Sequence, residues 1–477
     1  MIPGGDQMTK TVPVRSRQAS TLTLVGLVGA LAGCGGGEGE PGTALDTGST
    51  VDATADTNDA RDPGDTTVDS GADTAFDTTV ADTGDPDTTV ADTGAIDEGF
   101  PDISVDTSPP DTGTGGAGWN SLAAVPTGFA GRRSHSAVFT GTNMIVWGGC
   151  DGAEKTIYAD GVSYDEAAGT WKGIKSAGLS GRYFHAAAWS GTEMLVIGGI
   201  VGIGVGYTAA KDGALYDPAT DTWSAPITLP GPIPYATTAV WSTTTNEFLV
   251  WGGFTGTLSG DLGDGYAYKP STKTWRTMSS VGAPHARNAH AAAWNGSKMI
   301  LLGGAYGSGI YCADAFSYDP VTDKWETLTP PTTWSGRNGT TPGLASGGKV
   351  AFWGGRASWG TTDLRGDGLV FEAGAFAEIP VPSTTELPNP KREGAVGWWS
   401  ADRVYVWGGR GSEGWAFVGT GASFDPAKKT WAPLPTAKAP SARWLATAVV
   451  NPTSGVAYVW GGASGTTAYA DGARFKP

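Results

Sequence analysis

A Gly-Gly pair closes an apolar run seven times in this chain of 477 residues. The pairs are Gly148-Gly149, Gly198-Gly199, Gly252-Gly253, Gly303-Gly304, Gly354-Gly355, Gly408-Gly409 and Gly461-Gly462. Successive pairs are 50, 54, 51, 51, 54 and 53 residues apart. A regular spacing of this length indicates a repeat architecture, in which one supersecondary unit recurs and neighbouring units bury each other's faces.

Each repeat is predicted to form four short strands. In the second repeat, the first strand is "HAAAW", followed by a Ser190-Gly191 turn that is typical of tight hairpins. The second strand, "EMLVIGG", is apolar at consecutive positions, which indicates burial on both faces. The third strand, "GALYD", leads into a turn at Asp217-Pro218, and the fourth begins at Trp223. Such a sheet has to lie between copies of itself.

The ends of the repeat array favour a closed ring over an open stack. The seventh repeat stops at "DGARFKP", after its third strand, and the missing tryptophan strand is present upstream as "GWNSLAAVP". If Trp119 to Leu122 joined Ala473 to Phe475, no sheet edge would remain open. We therefore predict an all-β fold, a seven-bladed β-propeller of four-stranded blades in which the strand at Trp119 completes the last blade. The 75 glycines and 20 tryptophans suit many short strands and tight turns.

The repeat resembles the Kelch repeat, whose family fold is the β-propeller. The resemblance lies in the Gly-Gly pair, the following Tyr-Asp and the Thr-x-x-Trp, as at Gly198-Gly199, Tyr216-Asp217 and Thr220 to Trp223. It covers residues 118–477. Blade five departs most, because Phe371-Glu372 replaces Tyr-Asp and Phe376 replaces the tryptophan, and we expect that blade to be looser.

The amino terminus is predicted to direct export. Basic residues precede the apolar stretch from Leu22 to Ala32, which has the length of a signal-peptide core and is too short to span a bilayer. The run ends in Leu31-Ala32-Gly33-Cys34, which resembles the lipobox of bacterial lipoproteins. On that resemblance residues 1–33 form the signal peptide and Cys34 carries the acyl chains that hold the protein on a membrane. Gly35 follows the cysteine in place of the aspartate that resembles an inner-membrane retention signal. We therefore expect the protein to be anchored to the outer membrane of the cell envelope, facing either the periplasm or the exterior.

The acidity of the chain is concentrated between Gly35 and Asp111. This segment holds 17 Asp and 3 Glu against one Arg, whereas the rest of the chain is nearly neutral. We predict that residues 34–117 form a disordered Asp/Thr-rich tether, because so little apolar surface cannot offset the entropy of ordering. No clustered basic stripe indicates nucleic-acid binding in the repeats.

Three of the four histidines occupy one repeat position. His135, His185 and His290 each lie thirteen residues before the first glycine of a pair, in blades one, two and four. Because these blades are spread around the ring, we favour a hydrogen-bonded structural residue over a shared metal site. We expect no metal or other cofactor, and we expect Cys150 and Cys312 to be free thiols because their repeats are not adjacent.

Two charged positions recur where the first and third strands begin. Arginine stands at the first position and aspartate at the second, except for Pro234 in blade three and Thr420 in blade six. The residues are Arg132, Arg182, Arg287, Arg337, Arg392 and Arg443, and Asp160, Asp212, Asp264, Asp314, Asp367 and Asp471. Up-and-down strand order places both positions on one face of the ring. We favour structural ion pairs; the alternative is an arginine-lined pocket for a carboxylate ligand.

The loops between the second and third strands open onto the same face and carry aromatic residues with several arginines. The candidate ligand-binding residues there are Tyr158, Tyr207, Tyr311, Trp359, Arg410 and Trp415, together with the six repeated arginines. Rigid rings beside arginine suit recognition of a protein or a glycan. The rings could equally cover their own loops.

Three classes of function follow from these residues, of which the third is a purely structural envelope component whose loop face is occupied by another subunit. The first is a non-catalytic, monomeric binding module for a protein or carbohydrate partner. The second is a carbohydrate-active enzyme with an arginine-lined central pocket, because the Kelch-like propellers that the repeats resemble include a sialic acid epimerase. No paired-carboxylate or Ser-His-acid arrangement is readable from the sequence, so we favour the binding module.

Overall fold

The computed structural model describes residues 118–203, 208–232, 234–257, 260–307, 309–358, 363–411 and 416–477. The predicted signal peptide with Cys34 and the predicted tether lie outside the described residues. Within them, no helix is long and apolar enough to cross a membrane.

Seven four-stranded antiparallel meanders make up the described chain, as predicted. The first strands are Ser136–Phe139, Ala186–Trp189, Thr238–Ser242, Ala291–Trp294, Leu344–Ser346, Val396–Ser400 and Thr447–Val450. The second strands are Asn143–Trp147, Met194–Ile197, Glu247–Trp251, Met299–Leu302, Lys349–Trp353, Arg403–Trp407 and Ala457–Trp460. The third strands are Gly161–Asp165, Asp212–Asp217, Gly265–Lys269, Ala315–Asp319, Gly368–Glu372, Gly421–Asp425 and Gly472–Lys476.

The fourth strands lie on the outside of the ring. They are Thr170–Gly173, Thr222–Trp223 with Ile227–Thr228, Thr274–Thr277, Lys324–Leu328, Ala375–Ile379, Thr430–Pro433 and, for blade seven, Gly118–Ser121. In the described residues, two short hairpins extend the loops, Ala305–Tyr306 with Ile310–Tyr311 and Ala463–Ser464 with Thr467–Ala468. In blade six, Arg392–Glu393 and Arg410–Gly411 pair next to the first and second strands. We call the face at which the first and third strands begin the top face, and the opposite face the bottom face.

The core lies between the blades. The second strands are buried on both faces, and each side packs against a different neighbouring blade. Between blades one and two, for example, Ile145 and Trp147 pack against Met194 and Val196. The consecutive apolar residues of these strands are therefore explained by burial between two sheets.

The ring closes at blade seven, as predicted from the two ends of the array. Trp119 pairs with Phe475 and Ser121 with Ala473 in an antiparallel ladder. Trp119 is 3% exposed, and its ring packs against those of Trp398 and Trp407 in blade six. The strand that completes the last blade also seals it against its neighbour.

The Gly-Gly pairs join each blade to the next. In all seven pairs the N–H of the second glycine donates to the backbone carbonyl of the residue at the repeated arginine position of the following blade, at 2.8–3.1 Å. Both glycines have positive φ, and a Cβ on Gly303 would lie 2.7 Å from the Arg337 carbonyl oxygen. A side chain would therefore clash where the two backbones meet.

A second set of inter-blade bonds surrounds the central channel. Seven residues, one at the start of each first strand, have left-handed φ angles of 50–61°: Ser134, Phe184, Ala236, Ala289, Gly339, Gly394 and Leu445. Five of them donate an N–H to the carbonyl of the equivalent residue in the preceding blade, at 3.0–3.2 Å. Within the described residues, the N–H groups of Gly339 and Gly394 do not make the equivalent bond.

A third set uses the tryptophans of the fourth strands. The indole N–H groups of Trp171, Trp223, Trp325 and Trp431 each donate to a backbone carbonyl of the preceding blade at 2.8–2.9 Å. The side chain of Phe376 in blade five has no N–H group to donate. The indole nitrogens of Trp275 and Trp119 have no hydrogen-bond partner among the described residues. The third set of bonds is therefore absent at three seams.

Candidate functional site

The repeated arginines form ion pairs inside the top face. Five pairs join Arg132 to Asp160, Arg182 to Asp212, Arg287 to Asp314, Arg337 to Asp367 and Arg443 to Asp471, with closest N–O distances of 2.5–2.8 Å. Each of these five arginines also donates its Nε to the carbonyl two residues earlier. Their side chains are 0–1% exposed and bonded to carboxylates and carbonyls, so they hold the loops of the top face together.

Two members of these sets depart from the predicted pairing. Asp264 has no ion pair among the described residues, because Pro234 stands where the other blades carry arginine. Arg392 has no carboxylate partner among the described residues; its Nη2 donates to Thr420 Oγ1 at 2.7 Å and its Nη1 to the Thr420 carbonyl at 2.6 Å. Burial without a counter-charge lowers the pKa of Arg392 to about 9.

The three repeated histidines link neighbouring blades. The Nε2 atoms of His135, His185 and His290 lie 2.8, 2.8 and 2.7 Å from the hydroxyl oxygens of Thr447, Ser136 and Thr238 in the preceding blades. Each ring also meets the edge or face of a buried tryptophan of that blade. Burial lowers the pKa of His185 and His290 to about 3, so both are neutral at ordinary pH. They are scaffold residues, as predicted.

No metal site or thiol chemistry emerges from the described part of the chain. None of its His, Cys, Asp and Glu side chains form a group of three that could hold a metal ion. Cys150 and Cys312 are free and buried, and burial raises their thiol pKa values to about 12 and about 11. Both thiols are therefore protonated and unreactive at neutral pH.

The central channel is apolar along blades two to five. A cavity of about 360 Å³ there is lined mainly by alanines and threonines, with the neutral His185 and His290. None of these lining residues carries a charge at neutral pH.

The aromatic residues of the loops between the second and third strands differ in their surroundings. Two of them cover repeated arginines, one is half-buried in a hairpin, and three lie outside the described residues. The rings of Tyr158 and Tyr469 lie 4.3 and 4.0 Å from the guanidinium carbons of Arg132 and Arg443. Tyr311 is half-buried in its hairpin. Tyr207, Trp359 and Trp415 lie outside the described residues.

Two positions that vary between the repeats meet at the top of the channel. We call this set the mouth ring: the residue after the repeated arginine position and the residue after the Gly-Gly pair, which face each other across the first and second strands in every blade. In blade order these pairs are Arg133 and Cys150, Tyr183 and Ile200, Tyr235 and Phe254, Asn288 and Ala305, Asn338 and Arg356, Glu393 and Arg410, and Trp444 and Ala463.

The mouth ring has an apolar side. Cys150, Tyr183, Ile200, Tyr235 and Phe254 pack together as one buried cluster that spans blades one to three. The Tyr235 and Phe254 rings meet edge to face at 5.5 Å. All five residues are 0–6% exposed, so this side of the mouth ring is closed by packed aromatic and aliphatic side chains.

The other side of the mouth ring is charged. Glu393 accepts bonds from Arg356 Nε at 2.9 Å and Nη2 at 2.6 Å, and it also pairs with Arg410. The Arg410 guanidinium stacks on Trp444 at 4.2 Å, and Arg133 approaches the same ring at 5.7 Å. Arg133 in turn pairs with Glu154. We call Arg133, Glu154, Arg356, Glu393, Arg410 and Trp444 the mouth cluster.

Sequence reasoning identified Arg410 but missed Arg133, Glu393 and Trp444. Their signal is a contrast between neighbouring positions: the arginine position is nearly constant, whereas the next residue is Arg, Tyr, Tyr, Asn, Asn, Glu or Trp. Constant positions hold the scaffold and varying ones are free to carry specificity. Comparing the seven repeats with each other would have found the mouth ring.

Comparisons with known proteins agree with this architecture. A domain family described as "KLHDC2/KLHL20/DRC7 Kelch-repeats domain" matches residues 211–366. Adagio-like protein 3 of Oryza sativa subsp. japonica is 35% identical over 107 residues, which cover 21% of this chain and 17% of that protein. The chain thus matches less than a fifth of that relative's length.

Among solved structures, the one titled "Structure of YjhT" superposes with a TM-score of 0.50 and 16% sequence identity. The superposition covers 66% of this chain and 99% of that chain. At this identity the likeness concerns the fold alone. Residues 118–477 thus form a closed seven-bladed β-propeller, of which residues 211–366 match a Kelch-repeats domain.

Proposed function

We propose that the propeller is a non-catalytic binding module that takes a protein or carbohydrate partner through the loops of its top face. One observation carries the proposal: the mouth ring differs in almost every blade, whereas the ion pairs and glycine bonds around it repeat. A repeated scaffold that presents varied groups at one place is the usual arrangement of a binding surface.

The composition of the mouth ring supports recognition. Tyrosine, tryptophan and arginine are the residues that most often dominate binding energy, because they bury large rigid groups and donate several hydrogen bonds. Here Tyr183 and Tyr235 stand on the apolar side, and Arg133 and Trp444 on the charged side. A partner with one apolar and one charged portion would match both sides.

The enzyme alternative required arginines lining a central pocket. The repeated arginines are instead buried against aspartates and carbonyls, and the channel wall is apolar. The arginines at the mouth of the channel are also paired, Arg133 with Glu154 and both Arg356 and Arg410 with Glu393.

Membrane anchoring is part of the proposal, and it rests on the resemblance of Leu31-Ala32-Gly33-Cys34 to the lipobox. Gly118 pairs with Lys476 at the bottom-face end of blade seven. The first described strand therefore begins on the face opposite the mouth ring. We propose that acylated Cys34 and residues 34–117 hold the propeller on the outer membrane with its top face available. Replacing Cys34 with Ser should move the chain from the membrane fraction to the soluble fraction.

A glycan array and a pull-down from envelope extract, both with the full chain, test the binding proposal. Two matched variants locate the surface: Phe417→Ala on the top face beside Trp444, and Phe139→Ala on the bottom face beside Tyr458. We expect Phe417→Ala to weaken capture at least tenfold and Phe139→Ala to leave it unchanged. Capture lost only in Phe139→Ala, or turnover of an arrayed sugar, would contradict the proposal.

A further inference from the structure

The charged side of the mouth ring contains more positive than negative groups. Arg133, Arg356 and Arg410 are 1–3% exposed, and only Glu393 among the carboxylates of the mouth cluster is equally buried. Glu393 binds Arg356 through both carboxylate oxygens and Arg410 through one. This leaves Arg133 to the remaining carboxylate, that of Glu154.

Arg133 is incompletely satisfied. It is 2% exposed, and only its Nη2 has a partner, Glu154 Oε1. Its Nε and Nη1 are buried without a hydrogen bond in the described part of the chain. An unpaired buried donor is unfavourable, and a guanidinium matches a carboxylate best when two parallel bonds form. Arg133 therefore has unused capacity for a carboxylate.

Glu154 is a poorly held partner for this arginine. It lies in the loop between the second and third strands of blade one, with a left-handed φ of 55° that non-glycine residues rarely adopt. Only one of its oxygens bonds Arg133, and its side chain is 18% exposed. Burial also raises the pKa of this carboxyl. The loop therefore keeps Glu154 on Arg133 at some cost in backbone strain and desolvation.

Resting on the proposed function, we propose that Arg133 is the receptor for a carboxylate of an acidic peptide segment in the partner, and that Glu154 occupies its place until the partner displaces it. The site already accommodates a glutamate side chain, so an acidic side chain on a flexible stem fits it by chemistry and size. The Trp444 ring, which both Arg133 and Arg410 approach, supplies an apolar wall for that stem. The exchange is non-covalent: Glu154 moves to solvent as the incoming carboxylate binds.

The test measures binding of a fluorescent hexaglutamate peptide to the full chain, with hexaglutamine as the uncharged comparison. In Glu154→Gln we expect about tenfold tighter binding of hexaglutamate, because the internal competitor loses its charge. In Arg133→Gln we expect binding to fall at least tenfold. Glu372→Gln, which removes the same charge from an exposed pair with Lys349, should behave as the parent chain.

Hydrogen exchange provides a second measurement that does not depend on a stable Arg133 variant. Addition of hexaglutamate should speed exchange in residues 151–157, because the Glu154 loop is released. Unchanged or weaker hexaglutamate binding in Glu154→Gln overturns the inference. An acidic sugar oligomer that binds through Arg133 where hexaglutamate does not would overturn its peptide part.

The inference and the proposed function fail in different ways. A partner captured through Phe417 whose binding is unaffected by Glu154→Gln and Arg133→Gln leaves the binding module in place and refutes the carboxylate site. Capture that is weakened by Phe139→Ala and not by Phe417→Ala refutes the proposed function itself.

Discussion

At the scale of single residues, an Arg–Asp ion pair recurs in five blades, whereas in blade six the arginine is kept and threonine replaces the aspartate. Arg392 is as deeply buried as its five paired equivalents, but Thr420 supplies a hydroxyl and a carbonyl in place of a carboxylate. Thr420 is half-buried at the start of the third strand, where the other blades hold aspartate. The missing charge makes blade six a natural test of what the pairs contribute.

We predict that Thr420→Asp raises the free energy of unfolding by about 1 kcal/mol at pH 7, because a half-exposed carboxylate then neutralises Arg392. The pKa of Arg392 is lowered to about 9, below its unfolded value, so the cost of its charge is present below pH 9 and declines as the pH rises above it. The gain from Thr420→Asp, measured by denaturant unfolding, should therefore be smaller at pH 10. An equal gain at both pH values would contradict this account.

The buried histidines predict a sensitivity to acid. In His185 and His290 the folded pKa is about 3, below the unfolded value near 6.5, so the unfolded state binds more protons between these values. Stability should be unaffected above about pH 6.5 and fall as the pH drops toward 3, by up to about 1.4 kcal/mol per pH unit for each histidine.

Denaturant unfolding between pH 7 and pH 4 checks this prediction. The double variant His185→Asn/His290→Asn should be less stable at pH 7 but should lose stability less steeply toward pH 4. His285→Asn, which changes the exposed fourth histidine, serves as the control. A slope that the double variant leaves unchanged would show that these rings do not cause the acid sensitivity.

At the scale of elements, the strands followed from the sequence, whereas the contacts between blades did so only in part. Consecutive apolar residues in the second strands and the Thr-x-x-Trp positions predict the four-stranded meander and the strand pairing that closes the ring. The histidines were recognisable as structural, and within the chain each one accompanies a hydroxyl at the next position of the preceding blade. That pairing depends on which blades are neighbours, so it becomes visible only once the ring is assembled.

The mouth cluster illustrates what a single sequence does not provide. Glu154 and Glu393 are 239 residues apart in numbering yet serve the same group of arginines, and nothing local marks Arg133 as incompletely bonded. Loop conformation decides which carboxylate reaches which guanidinium, and loops lack the periodicity that makes strands predictable.

The indole bonds predict unequal costs for one substitution at equivalent positions. Trp431→Phe removes the N–H that binds the Pro380 carbonyl at 2.8 Å, so we expect a loss of about 1 kcal/mol in the free energy of unfolding. Trp275→Phe removes an indole N–H that has no partner in the described residues, so it should cost less. Denaturant unfolding of both variants measures the difference; equal losses would mean that the bond contributes nothing beyond ring packing.

At the scale of the whole molecule, a closed ring is held by its seams, and the seams are unequal. The bond from the second glycine is present at all seven. The seam between blades one and two adds the channel-side backbone bond, a histidine bond and an indole bond. The seam between blades four and five has none of these three, because Gly339 makes no channel-side bond, Thr340 replaces histidine and Phe376 replaces tryptophan.

We therefore predict that the ring opens first between blades four and five. The first strand of blade five, Leu344–Ser346, has three residues, and its looseness was expected from the departures of this blade from the Kelch pattern. Local opening exposes amides without global unfolding, and its free energy falls where few bonds cross a boundary. Hydrogen exchange of the full chain under native conditions should show faster exchange in Ala291–Trp294 and Leu344–Ser346 than in Ser136–Phe139 and Ala186–Trp189. Equal protection of the two pairs would mean that the glycine bonds alone set the strength of every seam, and the additional bonds at the stronger seams would then need another explanation.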